Sequence, residues 1–253
     1  MTRDLIIDAD HVAFNVSESK TYKTGFEHAS NYEEYEDLEL EASEIDFTQY
    51  TNHFKSIIDM YIMIGECAGV AYGWDIGEVK IIMSDTTNFR YALYPEYKNK
   101  RLEGSEIGTK LRQWARQEYI CEKCIEADDV VSYYVRNGGV GVTTDKDLLK
   151  GVEGIWYNAH YMHKSWGITS KESAEYFFKC QLLAGDGVDN IPSLPKVGLI
   201  TADKLMKKYG SSYKDIERIF KDRGFNKDYM LTMGRLVNMK QWIPKRGIRL
   251  WNV

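Results

Sequence analysis

The chain opens on a short apolar run, Leu5-Ile6-Ile7, closed by Asp8. That pattern predicts a buried strand that delivers its last residue to a sheet edge. Residues 17–46 break the pattern: they are polar and strongly acidic, with scattered Tyr and Phe, and predict an insertion or flap. From Phe54 to Val70 the apolar density is that of a helix on a sheet, with Ile57, Ile58, Tyr61, Ile62 and Ile64 facing the core. Val79 to Met83 reads as a second strand, ending in Ser84 and Asp85. Gly139 to Thr143 reads as a third, followed by Asp145 and Asp147. Helices are predicted over Leu111 to Tyr119 and from Glu126 to Tyr134, the second on an apolar face of Val130, Val131 and Tyr134. The alternation predicts an α/β fold with a mostly parallel sheet flanked by helices, and a site beyond the carboxyl ends of its strands.

The final third changes character. A helix is predicted over Ala174 to Leu183, a Gly- and Pro-rich stretch over Gly185 to Gly198, and a further helix over Ile200 to Tyr209. Two regions result: an α/β core over 1–183, carrying the insertion near 17–46 and an arch-like segment near 86–120, and a helical region over 184–253. In the arch-like segment Phe89, Arg90, Tyr91, Tyr94, Tyr97, Lys98, Lys100 and Arg101 have the aromatic and basic character of a nucleic-acid channel lining.

Charge sharpens this picture. The net charge of -5 conceals a gradient, with 14 acidic and 4 basic residues in Met1–Met60 against 5 acidic and 14 basic in Asn190–Val253. The basic end is a candidate footprint for phosphate backbone. A signal peptide and a membrane span are not expected, because the start MTRDLIIDAD is acidic and no uninterrupted apolar run approaches about eighteen residues. An intracellular, cytoplasmic protein is expected, with Cys67, Cys121, Cys124 and Cys180 as free thiols. Cys121-Glu122-Lys123-Cys124 has the spacing of half a zinc site, but no second pair accompanies it.

The acids carry the chemistry. Asp8, Asp85 and the Asp145/Asp147 pair each follow an apolar strand, and that repetition outweighs the ordinary role of a single Asp as a cap. Glu126 and Asp129 lie three apart in Glu126-Ala127-Asp128-Asp129, as do Asp186 and Asp189 in Gly185-Asp186-Gly187-Val188-Asp189-Asn190. So many neighbouring carboxylates repel one another unless they share protons or bind cations. Oxygen donors of this kind suit Mg²⁺, with Mn²⁺ as a substitute, and two such ions serve phosphoryl hydrolysis without a nucleophilic side chain.

These motifs resemble the structure-specific 5′ nuclease family of flap endonucleases and 5′ to 3′ exonucleases, and the size is that of its phage-encoded members. The resemblance rests on Glu126-Ala127-Asp128-Asp129, Thr143-Thr144-Asp145-Lys146-Asp147-Leu148 and Gly185-Asp186-Gly187-Val188-Asp189-Asn190-Ile191-Pro192, in family order, with Asp8 and Asp85 ahead of them. It implies a PIN-like sheet, a C-terminal helix-hairpin-helix module and a two-metal DNA hydrolase that removes 5′ flaps or RNA primers during replication. Asp8, Asp85, Glu126, Asp128 and Asp129 would surround one metal, and Asp145, Asp147, Asp186 and Asp189 the other. Lys98 and Arg101 would contact the scissile phosphate. The hairpin at Pro195-Lys196-Val197-Gly198 and the helix after it, with Lys196, Gly198, Thr201, Lys204, Lys207 and Lys208, would hold duplex backbone, together with a potassium ion. Lys196 stands where the family favours glycine. Branched or flapped DNA, RNA-DNA hybrid included, is the implied partner of a monomer. A PIN-like ribonuclease and a junction-binding protein without catalysis are the alternatives.

Overall fold

The computed structural model describes residues 1–18, 46–101, 104–160 and 162–253; the acidic insertion expected near 17–46 therefore lies almost wholly outside the described residues. The expected strands form, and three more join them. β1 (Thr2–Asp8), β2 (Asp75–Met83), β3 (Ile120–Cys121), β4 (Val140–Thr143), β5 (Gly154–Asn158) and β6 (Ser165–Thr169) make a sheet in the order β3-β2-β1-β4-β5-β6. All pairings are parallel except β5 with β6. β5 and β6, which carry Trp156, Tyr157 and Trp166, are strands that the apolar pattern does not predict, because they are short and contain Gly.

Leu5, Ile6 and Ile7 are fully buried, since β1 is central and covered on both faces. Each such side chain contributes roughly 1.5–3 kcal/mol of burial. On one face Leu5 and Ile7 pack against α1 (Asp10–Glu18), α2 (Phe47–Tyr72) and a helix over Glu106–Glu118. Helix α2 presents Tyr50, Phe54, Ile58 and Tyr61 at helical spacing; Asp46 caps its start by accepting from the Thr48 N–H, and Gly73, at φ 78°, ends it. On the other face Ile6 and Ile82 pack against helices over Ala127–Arg136 and Lys146–Gly151. Taking the short helix Arg90–Leu93 as α3, these three are α4 (Glu106–Glu118), α5 (Ala127–Arg136) and α6 (Lys146–Gly151).

A second core lies beside the sheet. It is built by α7 (Lys171–Ala184), α8 (Leu199–Tyr209), α9 (Tyr213–Asp222) and α10 (Lys227–Val237), through Phe178, Leu182, Ala202, Met206, Ile216, Phe220, Met230 and Met233. A small hairpin, β7 (Trp242–Ile243) and β8 (Gly247–Ile248), follows. Tyr97 joins this core from the stretch after α3. That stretch differs from the expected channel lining: Arg90 and Tyr97 are buried, and Leu111 and Ala115 of α4 pack into the first core. Among the described residues no helix is long and apolar enough to cross a membrane.

Candidate active site

The chain runs from β1 outward to β2 and β3, then returns to the other side of β1 as β4. A crevice opens at such a reversal, beyond the carboxyl ends of the two central strands. Asp8 ends β1 there, and its Oδ2 accepts a hydrogen bond from Thr143 Oγ1 at the end of β4, at 2.7 Å. Next to it a cavity of about 160 Å³ is lined by Glu126, Asp128, Asp145, Asp147, Asp186 and Asp189, together with Arg90, Tyr97, Arg101 and Lys146. Residues from three separate sequence motifs thus meet in one place.

Local structure sets each of them. Asp128 sits in the first turn of α5, and Asp145 caps α6 by accepting from the Asp147 N–H at 2.7 Å. Gly185, at φ 72°, directs the chain from α7 into the turn that carries Asp186; a Cβ on it would meet the Ile191 carbonyl oxygen at 2.1 Å. Glycine is therefore required where Asp186 and Ile191 exchange backbone hydrogen bonds. Asp186 Oδ1 then accepts from the Val188 N–H at 2.7 Å.

The acids fall into two electrostatic groups. Glu126, Asp129 and Asp189 hold cations. Glu126 Oε2 accepts from Arg90 at 3.0 Å and from the Tyr97 hydroxyl at 3.0 Å, while Oε1 accepts from Lys98. Burial works against the Glu126 charge, but Arg90 and Lys98 hold its carboxyl below the ordinary range. Asp129 is fully buried and takes Arg90 in a two-pronged pair, at 2.6 and 3.1 Å. Asp189 accepts from Tyr97 at 3.1 Å and from Arg101 Nε at 3.0 Å. Lys98, at φ 58°, is fixed by its own backbone N–H, which donates to the Asp189 carbonyl at 2.9 Å.

Among the described residues the other group lacks such partners. Burial, then the charges of Asp145 and Asp8, push the Asp128 pKa well above its usual value. Burial also raises Asp145, with Asp8 and Asp189 adding to the effect. Asp147 is pushed up to about 7 by burial and by Asp145. Among the described residues no three His, Cys, Asp or Glu side chains already stand in a metal-holding arrangement. The donors nonetheless fit hard divalent cations by their chemistry, being carboxylate oxygens whose ionisation is opposed by burial and by one another.

Two of the residues expected as ligands stand apart. Asp85 lies outside the cavity lining: its carboxylate accepts from the Cys124 N–H at 2.7 Å and the Thr86 N–H at 2.7 Å, and the Cys124 bond foremost holds its pKa down. It ties the loop after β2 to the stretch before α5. Asp129 spends both oxygens on Arg90, because it faces the protein interior one residue on from Asp128.

Sequence reading places Arg90 in a channel lining and not among the site residues, and nothing in its neighbours along the chain signals a buried partner of Glu126 and Asp129. It also missed Asp10, whose carboxylate accepts from the Ser84 N–H at 3.2 Å and whose pKa burial and then Asp8 raise. The second acid of Asp8-Ala9-Asp10 was the available clue.

Away from the cavity, Lys196, Gly198, Thr201, Lys204, Lys207 and Lys208 are all exposed at the start and along the outer side of α8. Gly198 is the N-cap residue and offers no side chain to the first N–H groups of α8. Lys196 adopts φ 60°, so the backbone takes a glycine-like conformation although a lysine occupies it. Lys207 is paired with Asp203 at 2.8 Å.

No family model matches the chain. It is 31% identical over 168 residues to a 5′-3′ exonuclease of Buchnera aphidicola subsp. Schizaphis graminum, a match covering 55% of this chain and 56% of that one. The chain thus spans about half the length of that relative. In fold it is similar to the bacteriophage T5 5′-exonuclease solved with divalent metal ions, with a TM-score of 0.58 at 15% identity over 96% of this chain and 91% of the other. It is also similar to a bacteriophage T5 flap endonuclease in complex with DNA and metal ions, with a TM-score of 0.57 at 13% identity over 96% and 90%. The chain is thus similar to 5′-3′ exonucleases in sequence over about half its length, and to the bacteriophage T5 nucleases in fold over nearly all of it.

Proposed function

We propose that the chain hydrolyses DNA phosphodiester bonds as a 5′ to 3′ exonuclease and flap endonuclease. One observation carries this reading: carboxylates without cation partners, Asp128, Asp145 and Asp147, share a cavity with Arg101 and with Glu126, the acid that holds Lys98. Asp8, Glu126 and Asp128 would hold one divalent ion, and Asp145, Asp147 and Asp186 a second, Mg²⁺ or Mn²⁺ by donor type. Such ions supply Lewis acidity and activation of the attacking water. Lys98 and Arg101 contribute positive charge toward the reacting phosphate, which competes with Glu126 and Asp189 for them.

The sheet is read as PIN-like and α7, the hairpin and α8 as a helix-hairpin-helix that grips duplex backbone. The uncapped start of α8, preceded by Lys196, suits a phosphate, with a potassium ion as its partner there. Flapped or branched DNA, and RNA-DNA hybrid at primers, is the substrate class of a monomer.

The test compares cleavage of matched DNA flaps, DNA duplexes and single-stranded RNA, with Mg²⁺ and after chelation. Metal-dependent cutting of flaps over RNA is expected. Preference for RNA, or cutting that survives chelation, overturns the reading.

A further inference from the structure

Arg90 is 1% exposed, and its guanidinium has five N–H donors. All five are used. Nε donates to the Leu236 carbonyl at 2.9 Å; Nη1 donates to Glu126 Oε2 at 3.0 Å and Asp129 Oδ2 at 2.6 Å; Nη2 donates to Asp129 Oδ1 at 3.1 Å and the Asn238 carbonyl at 2.8 Å. Leu236 lies in the last turn of α10, and Asn238 is its C-cap. One side chain therefore ties the end of the last helix of the second core to two acids at the start of α5.

The consequence falls on Glu126. Its Oε2 is fixed by Arg90 and Tyr97, which leaves Oε1 for Lys98. Burial alone would lower the Arg90 pKa, but Asp129 and then Glu126 hold it well above its ordinary value, so the charge persists. A backbone carbonyl at a helix C-terminus also favours a cation. Asp129 keeps the planar fork oriented; without it Nη1 and Nη2 would each lose an acceptor.

We infer that Arg90 is a positioning residue for the nuclease reaction: it sets the Glu126 carboxylate, and through it Lys98, relative to the carboxyl end of α10. The inference rests on the nuclease reading above. Lysine cannot replace it, having three donors on a point charge where five are needed in a plane.

The test uses Arg90→Lys together with a double variant, Arg90→Met with Asp129→Leu. The double variant removes both charges, and apolar replacement of a buried pair is often neutral for stability. Single-turnover cleavage of a DNA flap at saturating enzyme and Mg²⁺ is compared with flap affinity measured without divalent ions and with thermal melting. Both variants should cut roughly 100-fold more slowly, as expected for a small displacement of reacting groups. Affinity should stay within about threefold, and the double variant should melt with the parent. A purely structural role predicts lost melting temperature with unchanged cleavage in whatever remains folded. If either variant, folded, cuts at the parental rate, Arg90 does not position the site. If the parental protein itself cuts no DNA, the nuclease reading has failed and the inference falls with it; the two failures are told apart by the parent alone.

Discussion

Asp128 and Asp129 are neighbours in sequence and opposites in environment. Asp129 gives both oxygens to Arg90 and is enclosed by it, whereas Asp128 faces Asp145 and Asp8 with burial opposing its charge. The same contrast divides the whole site: Glu126, Asp129 and Asp189 have cations, while among the described residues Asp128, Asp145 and Asp147 do not have one of their own. A carboxylate that gives both oxygens to one arginine, as Asp129 does, is part of the framework. One that is half-buried among its own kind is poised to take a cation from outside.

The contrast breaks most visibly in turnover. Asp128→Asn or Asp145→Asn should lower cleavage roughly 10³-fold at saturating Mg²⁺, since each removes charge from the cation-poor group. Flap affinity without divalent ions should hold or tighten, because less negative charge faces the phosphate backbone. Near-parental rates in either variant would remove those residues from the metal site.

Asp129→Asn should act on the other quantity. Breaking a buried pair on one side leaves Arg90 with Glu126 but without its two-pronged partner, and costs roughly 3–5 kcal/mol of stability. Denaturant unfolding checks this, and a variant as stable as the parent would mean that Asp129 is not part of the framework.

Lys98 lies on the border between the two groups, held by Glu126 and 3.7 Å from Asp189. Lys98→Ala should slow the single-turnover step roughly 10²-fold while leaving affinity nearly unchanged. The reverse result, full rate with weakened binding, would move Lys98 from chemistry to docking.

Docking is the role proposed for α8. Replacing Lys204, Lys207 and Lys208 together should weaken flap and plain duplex alike and flatten the log-log salt dependence by about 0.9 for each phosphate no longer neutralised. Lys207 is already paired with Asp203, so salt titrations of binding should show a change nearer to that of two phosphates than of three. An unchanged slope would take duplex backbone off this face.

The smallest effect concerns Lys196. Its φ of 60° is costly for a side-chain-bearing residue, so Lys196→Gly should stabilise the chain by about 1 kcal/mol while removing one charge from the hairpin. A drop in melting temperature would show that the lysine side chain offsets its own backbone strain.

Much of this site was legible along the chain. An apolar run that ends in an acid is a local pattern: β1 is buried because Leu5, Ile6 and Ile7 are apolar, and its end carries Asp8 to the crevice. The same logic located Asp145 and Asp147 after β4, and glycine at 185 with Asp186 after it. Asp85 has the same context but turns onto its own loop, because the Cys124 N–H that captures it arrives from 39 residues away. Which acids would find cations was likewise beyond sequence. Successive residues of a helix point about 100° apart, so Asp128 and Asp129 meet different surroundings, and the arginine that claims Asp129 also comes from 39 residues away. The sequence determined where the carboxylates are delivered, since strand ends and helix starts are set by neighbouring residues. Only the tertiary structure decided which of them remain without a cation, because a buried charge is settled by whatever the distant chain brings against it.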